Sequence, residues 1–234
     1  MQQKVCVLAL FALLGLALRA EDKPAGIPIA ELPKADADGW ITLFNGKDLT
    51  GWAGDPAVWR VTDGYISGKA DKVGGNTFLI FNYPFENFIL EAKFVMVKGG
   101  PFPNSGIQYR SRIANPAKWV VGGYQADMGD GWYGSLYDEL SRDKLLFKAP
   151  PEVDKSIKFD DWNQYKVTAN GTKLKHEVNG IVGGELDDLD ENGKPHPKGS
   201  LKGVIALQFH SPGGFEIKFK DIRIKLLPPT EEKK

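Results

Sequence analysis

The feature that most restricts this chain is its punctuation. Asp63-Gly64, Asn170-Gly171 and Asn179-Gly180 each sit where one short run of β-branched and aromatic residues ends and another begins. Such dipeptides supply the positive φ angles that tight hairpin turns require. Residues 59–62 and 65–67 flank the first turn, and 162–169 and 174–178 flank the second. Further runs of this kind lie at 40–44, 77–81, 88–97, 106–112, 124–128, 204–210 and 215–224. No stretch keeps a helical period; residues 138–146 offer a single turn of helix. About ten to twelve short strands with these turns predict an all-β chain built as a sandwich of two packed antiparallel sheets. The 234 residues suffice for one large domain of that type.

The two ends differ from this body. Lys4 precedes an apolar run from Val5 to Leu18, and Ala20 precedes the acidic Glu21. That pattern reads as a secretory signal over residues 1–20, cleaved near Ala20. The run is shorter than the roughly 20 residues of a spanning helix, so the expectation is a secreted or periplasmic protein with no membrane attachment after cleavage. The one cysteine, Cys6, lies inside this segment, so the mature chain has no thiol nucleophile, disulfide or cysteine metal ligand. Residues 21–37 read as a linker or loosely packed arm, 38–227 as the domain and 228–234 as a disordered tail. The 30 basic and 30 acidic residues balance, which gives no electrostatic reason to expect a nucleic-acid partner.

Along a strand, side chains alternate between faces. In residues 105–110 one face carries Gln108 and Arg110 and the other Ile107 and Tyr109. In 124–128 Gln125 and Asp127 oppose Tyr124, Ala126 and Met128; in 206–210 Gln208 and His210 oppose Leu207 and Phe209. A solvated face favours Lys and Glu, as 215–220 shows with Glu216, Lys218 and Lys220. The three other strands carry directional or titrating groups instead, and in one sheet they would converge on one face.

His210 titrates near neutrality and suits proton transfer. Asp127 suits a base, a metal ligand or a partner for Arg110, and Arg110 suits a carboxylate or a substrate oxygen. His176 shares a face with Leu174 and Val178 and by itself reads as a packed histidine. Trp40, Trp52, Trp59 and Trp162 fall in apolar strand patterns and read as core. Trp119 and Trp132, with Tyr133 and Tyr137, lie in loop-like segments and are the candidate sugar platforms. Asp187, Asp188, Asp190 and Glu191 form an acidic stretch whose spacing fits a solvated turn better than a calcium loop. No histidine pair at metal spacing, phosphate loop or nucleophile elbow is present in the sequence.

The opening block Asp38-Gly39-Trp40-Ile41-Thr42-Leu43-Phe44-Asn45-Gly46-Lys47-Asp48-Leu49-Thr50-Gly51-Trp52 resembles the start of the 3-keto-disaccharide hydrolase domain family. The likeness continues in order through Trp59-Arg60-Val61-Thr62-Asp63-Gly64, Asn104-Ser105-Gly106-Ile107-Gln108-Tyr109-Arg110, Tyr124-Gln125-Ala126-Asp127, Gly134-Ser135-Leu136-Tyr137, Trp162-Asn163, His176-Glu177-Val178-Asn179-Gly180 and Ile205-Ala206-Leu207-Gln208-Phe209-His210. Phe102-Pro103 and the long charged stretch 138–159 depart from the family pattern and bear on the shape of the groove.

The resemblance implies a concanavalin A-like jelly roll with a ligand groove on a concave sheet. It also implies action on glycosides oxidised to a ketone at ring carbon 3, so the partner is a carbohydrate. Arg110, Gln125, Asp127, Gln208 and His210 fall on matching motifs, and His176 joins them as a site member. A ketone at carbon 3 acidifies the hydrogen on carbon 2, so a base can start an elimination that expels the glycosidic oxygen. Either Asp127 or His210 is the expected base and the other the acid, with Arg110 or a divalent ion at the enolate oxygen. Gln108, Gln125, Gln208, His176, Trp119, Trp132 and Tyr137 are the expected substrate contacts. An ordinary glycosidase would need two carboxyls, and Asp127 would then need Glu139 or Asp138 as partner. A carbohydrate-binding module of the same fold, without catalysis, is the alternative from another class.

Overall fold

A computed structural model describes residues 26–97, 99–100 and 102–229. The expected signal segment with Cys6, the start of the arm and residues 230–234 lie outside the described residues. Within them fifteen strands, numbered along the chain, form two antiparallel sheets. The first sheet holds β1 (Trp40–Thr42), β3 (Trp59–Thr62), β4 (Tyr65–Ala70), β6 (Phe88–Val97), β11 (Asn163–Asn170), β12 (Lys173–Val178), β13 (Ile181–Asp187) and β15 (Phe215–Leu226). The second holds β2 (Trp52–Ala53), β5 (Thr77–Phe85), β7 (Asn104–Asn115), β8 (Val120–Gly129), β9 (Leu136–Glu139), β10 (Lys144–Phe147) and β14 (Gly203–Phe209), in the order β10-β9-β8-β7-β14-β5-β2. One short helix, α1 (Pro151–Lys155), follows β10. The expected all-β sandwich is the observed architecture.

The turn dipeptides do what their residues allow. Asp63 and Gly64 take φ of 46° and 79° between β3 and β4, and Asn179 and Gly180 take 50° and 81° between β12 and β13. Both central residues are thus left-handed, as a type I′ turn demands. Between the sheets, alternate residues of β6 (Phe88, Leu90, Ala92, Phe94 and Met96) meet Ile107, Tyr109, Tyr124, Ala126, Met128, Leu207 and Phe209 of the second sheet. The period-two reading of β8 and β14, and of β7 as far as Tyr109, therefore holds.

Four local expectations are corrected. Residues 138–146 form no helix: β9 and β10 pair there, with Tyr137 opposite Leu145. The Asp-Glu-Leu-Ser composition between those short strands hid their alternation. Trp52 and Trp59 are core, but Trp40 and Trp162 lie outside it, beneath Arg223 at 4.3 Å and Lys220 at 4.0 Å. These are cation–π contacts on a wet face. The arm is docked by residue 27: Asn82 on β5 donates its amide to the Ile27 and Pro28 carbonyls, and the Ala30 amide donates to the Asn82 carbonyl. Asp188 is not in a solvated turn; it is buried against Arg142 and Tyr124.

Candidate functional site

The outer face of the second sheet carries a groove of about 370 Å³, lined from several elements. β8 supplies Gln125 and Asp127, whose side chains point away from the core that takes Tyr124, Ala126 and Met128. β9 repeats the pattern: Tyr137 and Glu139 face the groove while Leu136 and Asp138 are buried behind them. β7 contributes Asn104, the end of β14 leads to His210, and the connecting segments bring Asn76, Phe102, Trp132 and Asp143. Gly106 makes this packing fit. A Cβ there would lie 2.7 Å from Gln125 Cγ, so only glycine lets Gln125 lie across β7.

Burial governs the electrostatics. Asp127 is 6% exposed, and desolvation lifts its carboxyl to about 7, against the opposing N–H of Gln125 and with help from the nearby Glu139 charge. Glu139 is also raised by burial; Asn76 donates to it at 3.1 Å and moderates the shift. His210 is pushed the other way: burial disfavours its imidazolium. Its Nδ1 faces the Ser211 carbonyl, which can only accept, so the neutral ring carries its proton on Nδ1 and the lone pair on Nε2. Phe102 packs edge-on to this ring at 5.4 Å. Tyr137 is raised by burial and stays a donor. Among the described residues, no lysine or arginine lines the groove.

The model of the 3-keto-alpha-glucoside-1,2-lyase-like domain matches residues 39–225. The chain belongs to this family. A 3-keto-disaccharide hydrolase of Bacteroides thetaiotaomicron is 31% identical over 183 residues, 67% of this chain and 61% of that one. The chain thus spans about three-fifths of that relative's length. Two solved structures share the fold. One, from Parabacteroides distasonis and named as a candidate glycosyl hydrolase, has a TM-score of 0.59 at 24% identity, covering 82% of this chain and 95% of its own. The other, carbohydrate-binding module CBM66 from Bacillus subtilis, has a TM-score of 0.53 at 16% identity, covering 74% and 94%. At these identities both speak for the jelly-roll architecture alone.

Within this 3-keto-glucoside lyase-like domain, the groove gathers Asp127, His210, Gln125, Trp132 and Tyr137 from the residues expected at the site. The other five lie elsewhere. Arg110 fails the alternation because β7 bulges between Tyr109 and Arg112, and Arg110 itself takes φ 48°. Its guanidinium is spent on the Glu86 and Gly171 carbonyls (2.7 and 2.6 Å) and on Asn87 Oδ1 (3.0 Å), where it staples three segments. Gln108 and Gln208 are fully buried. The end of the β7–β8 hairpin covers part of the sheet's outer face: Trp119 accepts from the Phe78 amide at 2.9 Å, and Ile113, Trp119 and Val120 pack on Phe78, Ile80, Val121, Val204 and Ala206. Trp119 therefore seals this second small core and borders a separate cavity of about 750 Å³.

His176 lies between the sheets. Its Nε2 meets the Tyr109 hydroxyl at 3.0 Å, and its Nδ1 faces Tyr165 and the Gly134 and Ser135 carbonyls at 3.2–3.3 Å. It is packed, as its neighbours Leu174 and Val178 indicated. Desolvation lowers its pKa to about 4. Because the unfolded ring titrates near 6.5, the unfolded state takes up the proton first. Stability from this group is complete above about pH 6.5 and falls as pH drops toward 4, by about 3 kcal/mol for a full shift of this size. Urea titrations at pH 7 and pH 4.5 on wild type and His176→Phe check this: the variant should show a shallower acid loss.

Asn76, Asn104, Phe102 and Asp143 were not among the expected site residues, and Glu139 stood only as a loop partner. Tyr137 and Glu139 stand at i and i+2, so recognising β9 would have placed both on one face. Asn104 precedes Gly106 at the same spacing. Asn76 and Asp143 come from loops and carry no periodic signal. Asp138, the other suggested carboxyl partner, points to the opposite side of β9 and binds Arg142. The divalent ion has no ready cage: among the described residues no three His, Cys, Asp or Glu side chains converge on one point.

Proposed function

We propose that the groove cleaves glycosides already oxidised to a ketone at ring carbon 3, by elimination followed by hydration, after export from the cytoplasm. The observation that carries the reading is a histidine and a carboxylic acid in one groove whose pKa values are driven toward each other, His210 down and Asp127 up. A base must be neutral and an acid protonated at the same pH, and these shifts serve that requirement. His210 Nε2 takes the proton from carbon 2, and the electrons of that bond form the enolate with the carbon 3 oxygen. The enolate collapses, the bond from carbon 1 to the glycosidic oxygen breaks, and Asp127 protonates the leaving oxygen. Asp127 then removes a proton from water as it adds to carbon 1, and His210, whose Nε2–H has meanwhile exchanged with solvent, protonates carbon 2.

Arg110 has no part in this scheme. Tyr137 and Asn104 are the neutral donors available to the enolate oxygen, and Trp132, 37% exposed, offers an aromatic face to the sugar. The family match and the Bacteroides relative support the substrate class, and the basic, apolar start of the sequence supports export.

Glu139 favours a second reading. It gives the groove another carboxyl beside Asp127, the pair that direct hydrolysis requires. Turnover in deuterium oxide separates the two. Elimination and hydration of a 3-keto-glucoside leave deuterium on carbon 2 of the released keto-sugar at times too short for uncatalysed exchange, and the unoxidised glycoside is inert. Cleavage of the unoxidised glycoside without label at carbon 2 would replace the proposal with direct hydrolysis. Binding of either sugar with no turnover would replace it with a binding module.

A further inference from the structure

Asp127 is the end of a buried chain of hydrogen bonds. Gln125 Nε2 donates to Asp127 Oδ1 at 3.2 Å, Gln108 Nε2 donates to Gln125 Oε1 at 2.8 Å, and Ser111 Oγ donates to Gln108 Oε1 at 2.7 Å. Gln108, Ser111 and Gln125 are 0%, 2% and 3% exposed, so water cannot easily substitute for a lost partner. Ser111 has a second acceptor within reach, the Tyr109 carbonyl at 3.2 Å. Gly123 gives the hydroxyl its room, since a Cβ there would lie 2.7 Å from Ser111 Oγ.

This chain can run in either direction. An amide turned by half a revolution exchanges its oxygen and nitrogen with almost no movement of heavy atoms. With Asp127 ionised, the observed direction gives the carboxylate an N–H donor. With Asp127 protonated on Oδ1, the same donor would collide with the acid's hydrogen. Reversal removes the conflict. The Asp127 hydroxyl donates to Gln125 Oε1, Gln125 Nε2 to Gln108 Oε1, Gln108 Nε2 to Ser111 Oγ, and the Ser111 hydroxyl to the Tyr109 carbonyl. Every link is kept in both states, because a serine hydroxyl both donates and accepts. A buried amide left facing a like group would instead lose its hydrogen bond with no water to replace it.

We propose that Gln125, Gln108 and Ser111 form a reversible amide relay whose direction follows the protonation of Asp127, so that both states of this carboxyl are held by hydrogen bonds. Gln108 and Ser111 are then positioning residues for Asp127, and Gln125 is an element of the relay as well as a groove residue. This rests on the reading above in one respect: an acid that gives a proton to the leaving oxygen and takes one from water must pass through both states in each turnover. The other titrating groups around Asp127 are Glu139 and Tyr137 on β9, Asp143 and His210 in the groove, and Tyr165 behind the sheet. None of them is bonded into the chain.

The test is nuclear magnetic resonance of the free protein, with labelled carboxyl and side-chain amide groups, across pH 5 to 9. The expected result is that the Gln108 amide protons show Overhauser contacts to Gln125 at high pH and to the Ser111 Hβ protons at low pH. The change should share its midpoint with the Asp127 carboxyl and vanish in Asp127→Asn. Ser111→Ala should abolish the exchange of contacts and move the Asp127 midpoint by at least half a pH unit; Ser111→Thr, which keeps the hydroxyl, should restore both. Gln108 contacts that stay fixed while Asp127 titrates would overturn the relay, as would a Ser111→Ala protein that titrates like wild type. If Ser111→Ala does not fold, the wild-type contacts alone decide the matter. No substrate enters these measurements, so failure of the relay is distinct from failure of the proposed reaction, which the deuterium experiment judges.

Discussion

Asp127→Asn is expected to lower kcat on a 3-keto-glucoside by about 10²–10⁴-fold, the usual contribution of a positioned acid or base. The change is nearly isosteric, and asparagine Oδ1 still accepts from Gln125, so folding and the groove should survive. What disappears is the proton. The wild-type profile of kcat/KM against pH should be a narrow bell. His210 must be neutral, which gives an acid limb below the ordinary histidine range because burial lowers its pKa. Asp127 must be protonated, which gives a basic limb near its pKa of about 7. In Asp127→Asn the basic limb should vanish and the acid limb remain. His210→Gln should do the reverse. If Asp127→Asn loses the acid limb instead, the two residues exchange roles. If both single variants keep full activity, the assignment of the groove is wrong.

The strand alternation read from sequence puts Gln125 and Asp127 on the groove side because β8 is regular where they sit, and a regular strand obeys a period of two; His210 follows the last residue of β14 and also lines the groove. Arg110 was misplaced by a single extra residue. A bulge is a local break in register, and neither Tyr109 nor Arg110 is a residue type that announces one. Gln108 and Gln208 do lie on the expected outer face, but that face is partly covered by the hairpin end at 113–120. Burial of this kind depends on how far a hairpin curls, which no local pattern encodes. Gln208 shows the consequence: its amide atoms find no protein partner beneath that cover. His176 makes the complementary point. Its apolar neighbours on β12 indicated a packed residue, and that local pattern proved more informative about its position than its place in a family motif.

The same limits apply to the charges, where the second large effect is expected. Arg142→Met should destabilise the protein by about 3–5 kcal/mol, the range for removing one partner from a buried ionic cluster. Arg142 donates Nη1 and Nη2 to the two oxygens of Asp188, each at 2.8 Å, and Nε to Asp138. Tyr124 donates its hydroxyl to Asp188. The side chains of Arg142, Asp138 and Asp188 are 7%, 1% and 6% exposed, so methionine would leave two carboxylates facing each other out of water. The pH dependence follows from their opposite shifts. Burial is the largest influence on both. For Asp188 the combined bonds and charges of Arg142 and Tyr124 outweigh it and hold the group below the usual range; Asp138 remains raised. A depressed carboxyl stabilises above its unfolded pKa, near 3.9, and loses that contribution as pH falls through its folded value. A raised carboxyl costs stability at neutral pH and is relieved by acid. Without Arg142 both carboxyls join the second class, so the deficit of Arg142→Met relative to wild type should shrink between pH 7 and pH 4. Urea unfolding of the two proteins at both values measures it, and a deficit below about 1 kcal/mol at pH 7 would place the cluster among surface ion pairs. The cluster also matters for the groove. Asp138 sits between Tyr137 and Glu139 on β9, so the contact that anchors one face of that short strand sets the position of the groove residues on the other. A loss of activity in Arg142→Met that appears in KM, with the Asp127 limb of the pH profile unmoved, is the signature of that displacement.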